Sequence, residues 1–120
     1  MRPRIDATEF GSITIDGTEI GHDVLIRLSG EVTKRKKKLS KAVFGSSHTI
    51  SLEEAEYIFE KGAEQLIIGS GQNGMVTLSR EAAQYFDKAG LRVELAPTPE
   101  AMRRWNRTKG PSIGLFHVTC

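Results

Sequence analysis

The run Phe116-His117-Val118-Thr119-Cys120 places a thiol, a hydroxyl and an imidazole close together. A thiolate beside an imidazole is a nucleophile with its base, which makes Cys120, the only cysteine, and His117 the first candidates for chemistry. Side chains alternate along an extended strand, so His117 and Thr119 share one face while Val118 and Cys120 share the other. The Cys–His pair therefore requires the strand to end near Val118 and the tail to bend. A carboxylate at the end of the chain would oppose a thiolate by like-charge repulsion. On this geometry Cys120 reads as a packed, inert cysteine.

Three other constellations could join it. Gly69-Ser70-Gly71-Gln72-Asn73-Gly74 follows an apolar run and approaches a helix. Glycines let backbone N–H groups come close to an anion, although the loop lacks both the third glycine of a dinucleotide site and the Walker lysine. Its alternative role is a tight turn that needs positive φ. Thr98 stands where a helix N-cap belongs. Gly45-Ser46-Ser47-His48 supplies two hydroxyls and a second imidazole just before a helix start, either as local hydrogen-bonding groups or as a general acid or base. Three histidines and one cysteine scattered along the chain show no metal-ligand spacing. No metal or cofactor is expected.

The elements that must position these groups read as follows. Ile13 and Ile15 alternate with polar residues, Asp16-Gly17 marks a two-residue turn, and Thr18 to Ile20 return. Val24-Leu25-Ile26 is a buried strand. After a turn at Ser29-Gly30, Glu31 to Lys38 come back as its solvated basic edge. Ser51-Leu52-Glu53-Glu54 is a capping box. Leu52, Ala55, Ile58 and Phe59 then share a face, with Glu53, Glu54, Glu56 and Glu60 mostly away from it and Gly62 as C-cap. Leu66-Ile67-Ile68 is apolar on both faces, as a central parallel strand should be. Ser79 caps a helix through Phe86 that Gly90 ends. Leu91, Val93 and Leu95 form a half-exposed strand near an edge. Thr98-Pro99-Glu100 starts a helix that turns Ala101, Met102 and Trp105 inward and stops at Gly110-Pro111. Ile113 to Val118 are again apolar on both faces. Strand, helix, strand, helix, strand implies right-handed parallel crossovers. The expected fold is thus α/β, with a C-terminal βαβαβ part, a mixed sheet and N-terminal antiparallel hairpins. Parallel strands would open the Gly69 loop and Thr98 at one sheet edge, where ligands bind in open α/β sheets.

Bulk properties narrow the function classes. A length of 120 residues fits a single domain, 1–120, that needs no disulfide or metal scaffold. One cysteine fits a reducing, cytoplasmic compartment. Met1-Arg2-Pro3-Arg4 leads into no apolar h-region, so no signal peptide is expected, and no apolar stretch is long enough for a membrane. The net charge of +2 is too small to argue for nucleic acid. Lys34-Arg35-Lys36-Lys37-Lys38, with Lys41, is the densest charge run, and Arg103, Arg104 and Arg107 add a second basic surface. Nucleic-acid binding needs aromatics or a reading helix beside such charge, and the sole tryptophan lies on the expected core face. The run reads instead as a solvated basic edge or a docking surface for an acidic partner.

Gly45-Ser46-Ser47-His48, Gly69-Ser70-Gly71 with Gly74, Pro97-Thr98-Pro99-Glu100-Ala101, Asn106 and the ending His117-Val118-Thr119-Cys120 occur in order at fitting spacings. Over nearly its whole length the chain resembles the small uncharacterised archaeal and bacterial proteins related to the adipogenesis-associated Mth-domain protein. More distantly it resembles a mitochondrial complex I assembly factor. The resemblance implies a three-layer α/β fold with a mixed central sheet. It implies no catalytic residue set, and the kinship with an assembly factor brings in a protein-docking role. Members often have Gly-Thr-Ser-His where this chain has Gly45-Ser46-Ser47-His48, which keeps a hydroxyl.

The reading that results is a non-catalytic binding or assembly-type domain. Its polar crevice is rimmed by Ser46, Ser47, His48, Gly69, Ser70, Gly71, Gly74, Thr98, His117, Thr119 and Cys120, and it holds a protein partner or a small anionic ligand. The alternatives are a small enzyme acting through His48 or Cys120 on an anionic molecule, and nucleic-acid binding through the basic edge. Buried apolar strands beside free edges also allow a homo-oligomer.

Overall fold

The computed structural model describes residues 2–120; of the opening Met1-Arg2-Pro3-Arg4 run, Met1 lies outside them. β1 (Ile5–Glu9), β2 (Ser12–Ile15) and β3 (Thr18–Ile20) form an antiparallel sheet in that order. Between β2 and β3 the chain turns at Asp16 (φ 49°) and Gly17 (φ 81°), the left-handed pair that a two-residue hairpin loop needs. β4 (Val24–Ile26), β5 (Val32–Lys34), α1 (Lys38–Phe44), β6 (Thr49–Ile50) and α2 (Leu52–Ile58) come next. β7 (Gln65–Ser70), β8 (Thr77–Leu78), α3 (Arg80–Lys88), β9 (Arg92–Ala96), α4 (Thr98–Arg107) and β10 (Ser112–His117) complete the chain.

The central sheet has the order β5-β4-β10-β7-β9. β10, β7 and β9 run parallel, and β4 is antiparallel to both β10 and β5. The expected βαβαβ part is therefore β7-α3-β9-α4-β10, in a mixed sheet. β7 and β10 are buried along their whole length, because helices or strands cover both of their faces. On one face Leu66, Ile68, Ile113 and Leu115 pack against Ala55 and Ile58 of α2 and Ala82 and Phe86 of α3. On the other, Ile67 and Phe116 pack against Ala101 and Trp105 of α4 and against Ile5, Ile13 and Ile15. This gives three layers, with the N-terminal sheet and α4 sharing one of them. Burying a side chain such as Phe116 or Ile67 contributes ~1.5–3 kcal/mol.

Several local expectations need correction. The return arm expected over Glu31 to Lys38 keeps only Val32–Lys34 in β5. The chain then turns Arg35 inward, and α1 begins at Lys38, because lysine and leucine are good helix formers and Ser40 finds buried partners. Gly45, left-handed at φ 71°, closes that helix. The capping box of α2 is half formed: Ser51 Oγ accepts from Glu54 N at 3.1 Å, but Ser51 N donates to Ser40 Oγ at 3.0 Å. Glu54 is buried, not solvated. α2 ends at Ile58 with Phe59 extended, so Gly62 caps nothing. β1 escapes the sequence pattern because only Ile5 in it is buried and its register shifts between Ile5 and Ala7. Gly69 and Ser70 belong to β7, so the glycine loop starts at Gly71.

Asn106 explains how the first layer closes. Its Oδ1 accepts from Ile5 N at 3.0 Å and its Nδ2 donates to Ile5 O at 2.7 Å, so α4 pairs with β1 as a neighbouring strand would. Trp105 Nε1 adds a bond to Pro3 O at 2.9 Å. Asn106→Ala leaves both Ile5 backbone groups without these partners. It should cost ~1–3 kcal/mol in urea denaturation and selectively speed hydrogen exchange in β1.

Candidate functional site

At the carboxyl ends of β7 and β10 a buried charge network replaces the open crevice that the sequence suggests. Arg35 is its hub. Nε and Nη2 donate to Glu54 Oε2 and Oε1 at 2.7 and 3.0 Å, Nη1 to Asp23 Oδ2 at 3.0 Å, and Nη2 also to Ser47 O at 2.9 Å. Arg35, Glu54 and Asp23 are 4, 1 and 5% exposed, so this is an interior ion triad. One guanidinium faces two carboxylates, and the surplus negative charge is met by hydrogen-bond donors. Ser40 Oγ donates to Glu54 Oε1, Val118 N to Asp23 Oδ1 at 2.9 Å, and His117 Nδ1 to Asp23 Oδ2 at 2.7 Å. Burial alone would push the Asp23 carboxyl up. The bonds from His117 and Val118 N, with the charges of His117 and Arg35, more than reverse that and hold it at about 2. Burial would likewise lower Arg35, and the bonds and charges of Glu54 and Asp23 raise it instead.

His117 passes this order outward. With Nδ1–H on Asp23, Nε2 is the acceptor whenever the ring is neutral, and in that form the Thr119 hydroxyl donates to it at 3.1 Å. β10 ends at His117, so Thr119 lies beyond the strand and not on its face, although its hydroxyl still reaches the His117 ring. The His48 ring stands edge-on to His117, with centroids 5.5 Å apart and planes at 83°. His48 is held by its backbone, with its N–H on Ser46 Oγ at 3.0 Å and its carbonyl accepting from Thr77 N at 2.8 Å as β6 pairs with β8. Ser70 is the register partner of His117 on β7, and its buried hydroxyl has no hydrogen-bond partner.

The glycine loop and the tail meet, but they close on each other. Gln72 N donates to Thr119 O at 2.7 Å, and Asn73 N and Met75 N donate to Cys120 O at 3.1 and 3.2 Å. The N–H groups expected to cradle an anion hold the chain's own main-chain oxygens. Gly71 (φ +105°) has no room for a Cβ, which would collide with the Cys120 backbone and lie 2.9 Å from His117 Cδ2. Gly74, also left-handed at φ +69°, lies beside Pro97 and Ser70. Thr98 does not cap α4. Its Oγ1 donates to His117 O at 2.6 Å and accepts from Gly71 N at 2.9 Å, so it staples α4, β10 and the loop together. Gly69 leaves space for that staple, since a Cβ there would meet Thr98 Oγ1 and Phe116. Among the described residues no hydrogen bond joins the Cys120 thiol to His117, whose Nε2 is taken by Thr119.

The fold and this site can now be set beside known proteins. Residues 5–111 match the family described as Protein of unknown function (DUF498/DUF598). The chain belongs to that family. It is similar to the conserved hypothetical protein PH1505 from Pyrococcus horikoshii OT3, with 32% identity and a TM-score of 0.88 over 98% of this chain and 99% of that one. A solved protein named MT938 gives 31% identity and a TM-score of 0.82 over the same shares. A Bordetella pertussis protein described as a Mth938-like domain shares the fold at 17% identity and a TM-score of 0.62, over 97% of this chain and 85% of that one. The family resemblance and the fold read from the sequence both hold. Among the described residues no helix is long and apolar enough to cross a membrane.

For this DUF498/DUF598 chain, sequence reasoning missed Asp23 and Ser40, read Ser51 and Glu54 only as a capping box, and misplaced Arg35. Lys34, Lys36, Lys37 and Lys38 are exposed, but Arg35 is not, which corrects its place in the basic docking surface. One signal was available: Arg35 is the only arginine in a lysine run, and a guanidinium fork suits bidentate carboxylate pairing where an ammonium does not. Arg35→Met strands two buried carboxylates and should cost ~3–5 kcal/mol in chemical denaturation. The acid limb supplies a second check. A depressed carboxyl contributes stability that is fully present above its unfolded value of about 3.9 and is lost as pH falls through its folded value of about 2. Wild-type stability should therefore drop by ~2 kcal/mol across that window through Asp23. Asp23→Asn should be less stable near neutrality and nearly flat across the same window.

Proposed function

We propose that the chain is a binding domain for an anionic group, carboxylate or phosphate, carried by a partner protein or a small molecule. The supporting observation is a recess of about 440 Å³ lined by Lys34, Arg35, Lys36, Lys37 and Lys38. Four exposed ammonium groups surround it, and their alkyl stems can form its apolar walls. The backbone that carries them is fixed from beneath, because Arg35 is locked to Glu54, Asp23 and Ser47. Lys36 Nζ also lies 5.5 Å over the Tyr57 ring, a contact that steadies a flexible side chain. A cluster of like charge on a fixed loop favours an anion through the summed field, and salt weakens it.

This reading moves the emphasis from the rim to the basic loop. The rim residues His117, Thr119, Thr98 and Gly71 are occupied with one another, while among the described residues no hydrogen bond or ion pair holds the four lysine ammonium groups. The sole tryptophan is 1% exposed, as expected, but Tyr57 beside Lys36 is an exposed aromatic that the sequence reading did not foresee.

Titration with pyrophosphate and, separately, with a polyglutamate peptide tests the reading and separates the two sources of charge. At low salt one of the two should bind, and Lys36→Glu/Lys37→Glu/Lys38→Glu should weaken it ~10-fold or more, equivalent to ~1.4 kcal/mol. Thermal stability should be unchanged. Binding that ignores both the substitutions and the salt concentration counts against the recess.

A further inference from the structure

The hydrogen-bond chain Asp23–His117–Thr119 has an arrangement that a merely structural histidine does not require. The carboxylate and the imidazole are both buried, 5 and 3% exposed, and the hydroxyl lies at the half-buried end. Asp23 accepts the Nδ1 proton at 2.7 Å, and the lone pair on Nε2 faces the Thr119 hydroxyl at 3.1 Å. Val118 N and Arg35 hold Asp23 from two other directions, so the carboxylate cannot swing away. A hydroxyl on a base that is itself oriented by a buried carboxylate is the geometry of an activated nucleophile.

Two further groups converge on the same imidazole. Ser70, 1% exposed, sits opposite His117 in the β7–β10 register with a hydroxyl that bonds to nothing. Among the described residues this hydroxyl is a donor without an assignment. The His48 ring, half-buried and 5.5 Å from His117, makes no ring hydrogen bond among the described residues. The half-buried His48 ring offers a donor near the Thr119 hydroxyl's partner, whereas the Ser70 hydroxyl is sealed beneath it.

We propose that Thr119 is an acyl-accepting nucleophile served by His117 and positioned by Asp23, and that the site acts on activated carboxylic esters. Thr119 Oγ forms a bond to the ester carbonyl carbon while its proton passes to His117 Nε2. The carbonyl π pair moves onto oxygen, which a His48 N–H stabilises. The pair returns, the bond to the leaving alcohol breaks, and that oxygen takes the proton from Nε2. Water then repeats the sequence on the Thr119 ester, releasing a carboxylic acid and restoring the hydroxyl. Ester and water become acid and alcohol, with no other reactant. The β-methyl of threonine crowds the attack, so the acyl-enzyme should accumulate. Cys120 takes no part, and the site stands independently of the lysine recess.

The test uses the whole chain and p-nitrophenyl acetate. The expected result is a burst of p-nitrophenol close to one equivalent, with a single acetyl group located on Thr119 by tandem mass spectrometry. Thr119→Val should abolish the burst without loss of thermal stability, and Thr119→Ser should retain it. His117→Asn should slow acylation ~100-fold or more and remove its pH dependence. If His117→Asn does not fold, the Val and Ser pair decides alone. Acetyl found only on lysines or Cys120, no burst, or a Thr119→Val variant that acylates at the wild-type rate overturns the proposal.

Discussion

A guanidinium sealed between two carboxylates is the constraint around which this molecule is arranged. Arg35 reaches Glu54 on α2, Asp23 ahead of β4 and the Ser47 carbonyl on the loop before β6, so three separate chain segments share one cation. Desolvating three charges is expensive and is offset only when nearly every lone pair is met. The surrounding donors follow from that demand: Ser40 on Glu54, and His117 with Val118 N on Asp23. The network fixes the loop that carries the lysines above it and the imidazole beside it. The lysine loop and the His117–Thr119 contact are therefore both anchored to one interior ion network.

Where local physics decides, the residues announced the structure. The left-handed Asp16-Gly17 turn, the Ser79 cap on Ala82 N at 3.1 Å and the doubly apolar runs of β7 and β10 all follow from nearest neighbours in the chain. Where tertiary partners compete, local signals misled. Thr98-Pro99-Glu100 has the composition of a capped helix start, yet the threonine hydroxyl serves β10 and the glycine loop. Glu54 has the spacing of a capping-box acid, yet Arg35 claims it. No periodicity could pair Asp23 with His117, which are 94 positions apart. The strand stops at His117, so the His117–Thr119 contact comes from the path of the tail beyond it.

The glycines around the tail show how a motif can be correct in chemistry and different in use. N–H groups gathered by a left-handed Gly71 do bind oxygen, but the oxygens belong to Thr119 and Cys120. That internal strap holds Thr119 against His117, so a turn that looks made for phosphate supports the hydroxyl instead. Gly69 has a second purpose of the same kind, which is to admit Thr98.

The middle strand of the main sheet is synthesised after both of the strands it joins. β10 lies between β4 and β7 and bonds to both. Until it leaves the ribosome, those two strands present unpaired apolar edges with nothing to bridge them. Closure must wait for contacts that are distant in sequence, which slows folding and prolongs exposure to aggregation.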